Sequence, residues 1–171
     1  APVAAAQTEL CLLFSTTNGT DWTLTAELLN PTQTVLATIS DLGFTMFGTN
    51  IANFEYNPAF DSDFFGPATV ITTPSSVDFQ GTNTLPPLAN AGGVDSSNPL
   101  FIASFTADNI PQHPLVLNGQ VTGAYVGVPF PIVFFYQYPF GSDIPWSVKV
   151  IPAPSSIALL GLAGFVGRRR R

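Results

Sequence analysis

Side chains that commonly carry chemistry are scarce in this chain of 171 residues, which has one cysteine, one histidine and one lysine. A single cysteine excludes an intramolecular disulfide, and one Cys with one His cannot supply the four ligands of a structural zinc site. As a nucleophile, Cys11 would need His113 as its base, and His113 lies in a proline-rich segment. We therefore expect Cys11 to pack as a small apolar side chain.

Basic charge is almost absent before the last four residues. Residues 1–167 contain one basic side chain, Lys149, and all eleven acidic ones, which gives this part a net charge of −10. Such a surface repels phosphate backbones, so we expect no nucleic-acid partner.

Sequence motifs of hydrolases and nucleotide-binding proteins are also missing. The chain contains no Gly-x-Ser-x-Gly motif and no phosphate-binding glycine loop. Its acidic residues are scattered, and none forms an evident pair of the kind that glycoside hydrolysis requires. We therefore predict that the protein is not an enzyme, with a glycoside hydrolase as the alternative.

The chain is rich in the residues that build a β-sheet core. Apolar residues make up 46% of it and phenylalanine alone occurs fifteen times, which excludes a disordered chain. Short β-branched and aromatic runs alternate with Gly, Pro, Asn and Asp. We predict an all-β protein, an antiparallel β-sandwich of the jelly-roll type with a short C-terminal apolar helix. The candidate strands are residues 9–16, 22–30, 35–39, 44–47, 51–56, 68–72, 76–80, 100–106, 116–126, 132–138 and 146–151.

Three segments follow from these patterns. Ala4-Ala5-Ala6 resembles the small-residue end of a secretory signal peptide, so residues 1–6 are interpreted as a remnant of the cleavage region. Residues 7–150 are the predicted sandwich domain. Residues 151–171 form a separate tail, because Pro152 and Pro154 resist continuing a strand or helix.

The tail has the physical character of a short membrane segment with a basic stop. The eleven uncharged residues 157–167 would span about 16 Å as a helix, against about 30 Å for a bilayer core. The arginines that follow are costly to translocate and favour the cytoplasmic side. The apolar side chains of the segment are Ile157, Leu159, Leu160, Leu162, Phe165 and Val166, and the basic stop is Arg168, Arg169, Arg170 and Arg171.

This tail resembles the PEP-CTERM sorting signal of Gram-negative bacteria. Pro152-Ala153-Pro154-Ser155 matches the Pro-Glu-Pro motif with Ala153 in place of Glu, and the apolar stretch and arginine run match the rest. The resemblance implies an exosortase-like membrane transpeptidase as partner and a transient stay in the inner membrane. It also implies export to the cell envelope surface or the extracellular matrix.

A second resemblance concerns the body of the chain. Residues 51–58, Ile-Ala-Asn-Phe-Glu-Tyr-Asn-Pro, are similar to the strand-to-turn step of cohesin-like and related carbohydrate-module sandwiches. Residues 100–105, Leu-Phe-Ile-Ala-Ser-Phe, resemble a later core strand of those sandwiches. Both similarities favour a jelly-roll type of sandwich.

One turn offers hard oxygen ligands. Asp61 and Asp63, with Asn57 nearby, provide the oxygens that calcium prefers, although the spacing lacks the Gly and distal Glu of a helix-loop-helix calcium loop. A solvated acidic turn is the interpretation that we favour, and a calcium site is the alternative. Apart from calcium, no cofactor is expected.

These features predict an exported, non-catalytic protein of structural or adhesive type. The alternative is a surface module that binds extracellular polysaccharide, or an envelope glycoside hydrolase. Exposed aromatic rings would serve a sugar site by stacking. The candidates for such rings are Trp22, Tyr125, Tyr136, Tyr138 and Trp146. We favour the interpretation that these residues belong to the sandwich core.

Overall fold

The computed structural model describes residues 9–29, 36–61, 65–82, 99–118, 120–126, 131–137 and 146–153. Within these ranges the chain forms eleven β-strands and one turn of 3-10 helix at Pro58–Phe60. The strands are β1 (Glu9–Thr16), β2 (Asp21–Leu29), β3 (Leu36–Phe47), β4 (Ala52–Tyr56), β5 (Thr69–Thr72), β6 (Ser76–Thr82), β7 (Leu100–Thr106), β8 (Leu115–Leu117), β9 (Gln120–Val126), β10 (Pro131–Gln137) and β11 (Trp146–Ile151).

The strands form two sheets, and the predicted all-β sandwich is confirmed. The five-stranded sheet has the order β11-β1-β2-β7-β4. The six-stranded sheet has the order β10-β9-β3-β6-β5, with β8 also pairing with β3. Among the described strand pairs only β1 and β11 run parallel. In the strand order β11 lies at an edge of the five-stranded sheet. The predicted C-terminal helix, and the predicted segment 1–6, lie outside the described residues.

The core lies between the sheets and follows the two-residue period of the strands. In β1 the side chains of Leu10, Leu12 and Phe14 are buried, and in β2 those of Trp22, Leu24 and Ala26. The facing strands of the other sheet contribute Leu42, Phe44 and Met46 from β3, and Val77 and Phe79 from β6. The alternate residues of these strands therefore face outward.

An aromatic cluster around Phe79 links the two sheets. The Phe79 ring lies 5.2 Å from Phe44 of its own sheet, measured between centroids. From the opposite sheet, Phe54 lies 6.3 Å away and Tyr56 5.5 Å away. Phe60 of the 3-10 turn meets the same ring edge-on at 5.5 Å. Such pairs stabilise a core beyond the burial of their area, so Phe79 holds β4 and the 3-10 turn against β6.

The lack of a side chain at Gly81 leaves room for the rings of this cluster. A Cβ atom at position 81 would lie 2.8 Å from Phe60 Cβ and 2.9 Å from Phe79 Cζ. The close approach of the 3-10 turn to β6 therefore requires glycine at this position.

The predicted number of strands is wrong in two stretches of the chain. The predicted strands 35–39 and 44–47 fall largely on one strand, β3 (Leu36–Phe47), which continues through Asp41 and Gly43. Its register toward β9 is irregular between Ile39 and Asp41, as at a bulge, whereas Gly43 pairs regularly with Gln80 of β6. Conversely, the predicted strand 116–126 is two strands, because β8 ends at Leu117 and the chain resumes as β9 at Gln120.

Candidate functional site: a groove on the five-stranded sheet

An open groove of about 610 Å³ lies on the outer face of the five-stranded sheet. Its lining comes from β1, β2, β4 and β7 and from the end of β11. Most of the lining side chains are the outward-facing partners of the core residues, so strand alternation places them there. They are mainly Ser, Thr and Asn, with two carboxylates.

One row of side chains crosses all five strands at the groove. Ser15 of β1 pairs with Ile151 of β11 on one side and with Thr23 of β2 on the other. Thr23 pairs with Ser104 of β7, which in turn pairs with Glu55 of β4. Because neighbouring strands lie about 4.8 Å apart, three hydroxyl groups follow one another at that interval. The row ends at an apolar side chain on one edge and at a carboxylate on the other.

A second, shorter row lies beside the first. Asp21 of β2 pairs with Thr106 of β7. The Thr106 hydroxyl donates to the Ala52 carbonyl at 3.2 Å, and its oxygen lies 3.4 Å from Asn53 Nδ2. Asn53 has a φ of 52°, in the left-handed region that asparagine tolerates, where the pairing of β4 with β7 shifts register. The irregularity in β4 accompanies the placement of Asn53 in the groove lining.

The turn between β1 and β2 fixes the carboxylate at position 21. Asn18 Oδ1 accepts from the backbone N–H groups of Thr20 at 2.9 Å and Asp21 at 2.8 Å. Its Nδ2 donates to Asp21 Oδ2 at 2.6 Å. Gly19 has a φ of 86°, and its N–H donates to Thr16 Oγ1. The Asp21 carboxylate is therefore held by its own turn rather than left to rotate freely.

Two aromatic rings belong to the lining as well as to the core. Trp22 is 5% exposed and Phe105 is 3% exposed. The Trp22 indole Nε1 donates to the Ala107 carbonyl at 3.1 Å, so its polar atom is satisfied within the protein. Trp22 is therefore a core residue and offers no exposed face for sugar stacking.

Of the other aromatic candidates, the structure describes the side chain of Trp146 alone. Trp146 is half-buried and packs against the core. Tyr125 and Tyr136 lie in β9 and β10, and Tyr138 lies outside the described residues.

The described residues of the groove carry charge of one sign only. They include Asp21 and Glu55, and none of them is Lys, Arg or His. Lys149 lies two residues before Ile151 on β11, where it pairs with Leu13 outside the lining. From the described lining residues a ligand meets hydroxyl and amide groups and two anions, but no cation.

The calcium candidate is only partly described. Asp61 Oδ1 accepts from the Tyr56 hydroxyl at 2.8 Å and from the Ala68 N–H at 2.9 Å, and the first of these hydrogen bonds raises the pKa of Tyr56. Asn57 Oδ1 accepts from Ala59 N at 3.0 Å and caps the 3-10 turn. Asp63 lies outside the described residues. Asp61 and Asn57 thus have structural roles, and calcium binding remains a prediction.

If Asp61 and Asp63 bind calcium, the ion should raise the melting temperature. The gain through mass action is about 2.7 kcal/mol when free calcium is a hundred times the dissociation constant. The double change Asp61→Asn with Asp63→Asn should abolish it, whereas Asp78→Asn with Asp108→Asn removes the same charge elsewhere and should leave it intact. Thermal melts in calcium, magnesium and matched sodium chloride measure the effect. Equal shifts in all three salts would mean charge screening and no site.

Cys11 and His113 are not arranged for catalysis. Cys11 is fully buried on β1 between Ser147 and Glu27, and burial raises the pKa of its thiol. A raised pKa disfavours the nucleophilic thiolate. His113 is exposed in the segment between β7 and β8. The expectation that Cys11 packs as a small side chain agrees with its burial.

Metal clusters and membrane helices have no counterpart in the described ranges. No three His, Cys, Asp or Glu side chains there are grouped so that they could hold a metal ion. Of the helical structure described, none has the length and apolarity needed to cross a bilayer.

The predicted sorting tail is described only at its first residues. β11, an edge strand of the five-stranded sheet, ends at Ile151, which is 52% exposed. Pro152 and Ala153 follow it and belong to no strand. The rest of the tail, from Pro154 and Ser155 to Arg171, lies outside the described residues.

Comparison with known proteins gives two structural neighbours. The solution structure of CaCohA2 from Clostridium acetobutylicum is 15% identical over 87% of this chain and 94% of its own, with a TM-score of 0.39. CaCohA2 in a crystal complex with a CaDoc protein at pH 5.5 is 16% identical over 85% of this chain and 99% of its own, with a TM-score of 0.38. At TM-scores below 0.5 these similarities support no conclusion about a ligand or partner.

No protein-family model matches the chain. No curated protein matches it either.

Proposed function

We propose that this chain is an exported, non-catalytic protein of the cell surface or extracellular matrix, where its sandwich acts as a structural or adhesive body. The observation that carries the proposal is the C-terminal pattern of Pro-x-Pro, apolar segment and four arginines. An exosortase-like membrane enzyme is the proposed partner of this tail. The tail leaves the body at the exposed end of an edge strand, which supports access by such an enzyme.

The acidic body supports a surface role without catalysis. The groove has two carboxylates, but Asp21 lies on β2 and Glu55 on β4, with β7 between them. Among the described lining residues no His, Lys or Arg accompanies these two carboxylates. We favour a binding surface over the alternative of a glycoside hydrolase, because the acidic residues of the sequence form no evident catalytic pair.

The proposal is tested by following the chain in a bacterium that makes an exosortase. The intact chain should accumulate in the surface or matrix fraction in a shortened form. Replacing the arginines at 168–171 by serine removes the basic stop, and most of the chain should then leave that fraction. Cell fractionation with mass determination of the recovered protein measures both effects.

Replacing the same four arginines by lysine provides the matched control. Lysine keeps the positive charge that opposes translocation, so the lysine variant should retain much of the normal distribution. A strain without the exosortase should keep the intact chain at the membrane. An unchanged surface distribution after removal of residues 152–171 would exclude the tail as the sorting signal.

A further inference from the structure

We propose that the groove on the five-stranded sheet binds an extended polysaccharide chain that is neutral or carries amino groups. This inference deepens the proposed adhesive function by naming the ligand to which the body adheres. It rests on that function only for the location of the protein, at which it would encounter the polysaccharide. The site itself follows from the groove residues.

The spacing of the hydroxyl row is the first reason. Ser15, Thr23 and Ser104 follow one another across adjacent strands at about 4.8 Å, close to the length of one hexose unit in an extended β-linked chain. A glycan that crosses the strands along this row would meet one protein hydroxyl group at each sugar. Hydroxyl groups both donate and accept, as sugar hydroxyls do, so the two sets can satisfy each other.

The charge of the groove selects among polysaccharides. Asp21 and Glu55 accept hydrogen bonds, and bonds from a donor to a carboxylate are stronger than neutral ones. A protonated amino sugar would gain most from them, and a neutral sugar would gain less. A uronic-acid polymer would bring further negative charge beside Asp21 and Glu55, where the described lining residues include no cation. The body around the groove is also strongly acidic.

No aromatic ring among the described lining residues is exposed, which predicts that each site is weak. Trp22 and Phe105 are both almost fully buried and offer no face for stacking. The groove volume of about 610 Å³ is that of an ordinary ligand site, and the recognition is mainly polar. We expect a dissociation constant on the order of 1 mM for a short oligosaccharide. Many copies on a surface would bind one long polymer with far higher avidity, as adhesion requires.

Titration of the full chain with oligosaccharides tests the inference. Glucosamine oligomers should bind best, β-1,4-linked glucose and N-acetylglucosamine oligomers next, and oligo-uronates least. Thr23→Val keeps the shape of the side chain and removes the central hydroxyl, so it should weaken binding about tenfold. Glu55→Gln should reduce the preference for glucosamine over glucose oligomers.

Thr69→Val is the matched control, because Thr69 is also an exposed strand threonine but lies on β5 of the other sheet. It should leave binding unchanged. Failure of every neutral and amino oligosaccharide to bind at about 10 mM would overturn the inference. Binding that is equally strong in Thr23→Val would also overturn it. So would binding of uronates alone, which would indicate adsorption to the arginines of the tail.

The outcome is independent of the sorting experiment. Oligosaccharide binding is measured on the purified chain, whereas sorting is measured on tail variants in cells. Binding without sorting would refute only the delivery by the tail, and sorting without binding would refute only the glycan site.

Discussion

Replacing Phe79 by alanine is expected to destabilise the sandwich by about 4 kcal/mol, the largest effect of any single core substitution that we predict. The Phe79 ring is 1% exposed and contacts four other aromatic rings that come from β3, β4 and the 3-10 turn. Removing it leaves a cavity at the point where the two sheets and the turn meet. For a chain of this size the melting temperature should fall by about 12 °C.

Two other variants distinguish the loss of the aromatic cluster from the loss of any phenylalanine side chain. Phe79→Leu retains much of the volume and should cost about half as much as Phe79→Ala. Phe101→Ala removes a ring that is 39% exposed on the outer face of β7, and it should cost under about 1 kcal/mol. Chemical denaturation of the three variants gives the comparison. A loss below about 1 kcal/mol for Phe79→Ala would show that the cluster does not hold the sheets together.

The period of the core residues was predictable from the sequence, but their contacts across the sandwich were not. The alternation of Trp22, Leu24 and Ala26 with polar residues is enough by itself to mark one buried face of a strand. In contrast, Phe54 and Phe79 meet only because β4 and β6 belong to opposing sheets. Which sheet a strand joins depends on long-range pairing, on which the local pattern carries no information.

Turn-forming residues such as Asp and Gly were the least reliable signal of where a strand ends. Asp41 and Gly43 look like a break between two strands, yet pairing with β6 keeps both of them within β3. There the sheet overrides the weak local preference of the two residues. Strands β1, β7 and β11 had bounds identical to those predicted, because each is rich in apolar or β-branched residues and is bounded by turn-forming residues.

The groove could not be found by reading along the chain. Its central row brings together residues from positions 15, 23, 55, 104 and 151, which become neighbours only through the strand order and register. The sequence did contain a weak local signal, since Thr23 and Thr25 alternate with the buried residues of β2. That signal predicts an exposed polar face but does not indicate that three strands align their hydroxyl groups.

Removing residues 152–171 is expected to leave the stability of the body unchanged, whereas removing residues 146–171 should abolish cooperative folding. β11 pairs with β1 along six residues, and its Trp146, Val148 and Val150 pack against the core. Pro152 then ends the strand, because it has no N–H to continue the ladder. Loss of β11 would expose both the edge of β1 and the apolar side chains beneath β11, so the shorter chain should lack a sharp melt.

Thermal melts followed by circular dichroism distinguish the two shortened chains. The chain that ends at Ile151 should melt within about 2 °C of the intact protein, since only exposed or half-buried residues are lost from the described structure. A drop of about 10 °C or more in that chain would mean that the apolar tail segment is part of the core. A normal melt of the chain that ends at Pro145 would instead mean that the parallel pairing of β1 with β11 contributes little. The physical reason for the first expectation is that Pro152 ends the pairing of β11 with β1, so the described residues after Ile151 add no strand to the sheet.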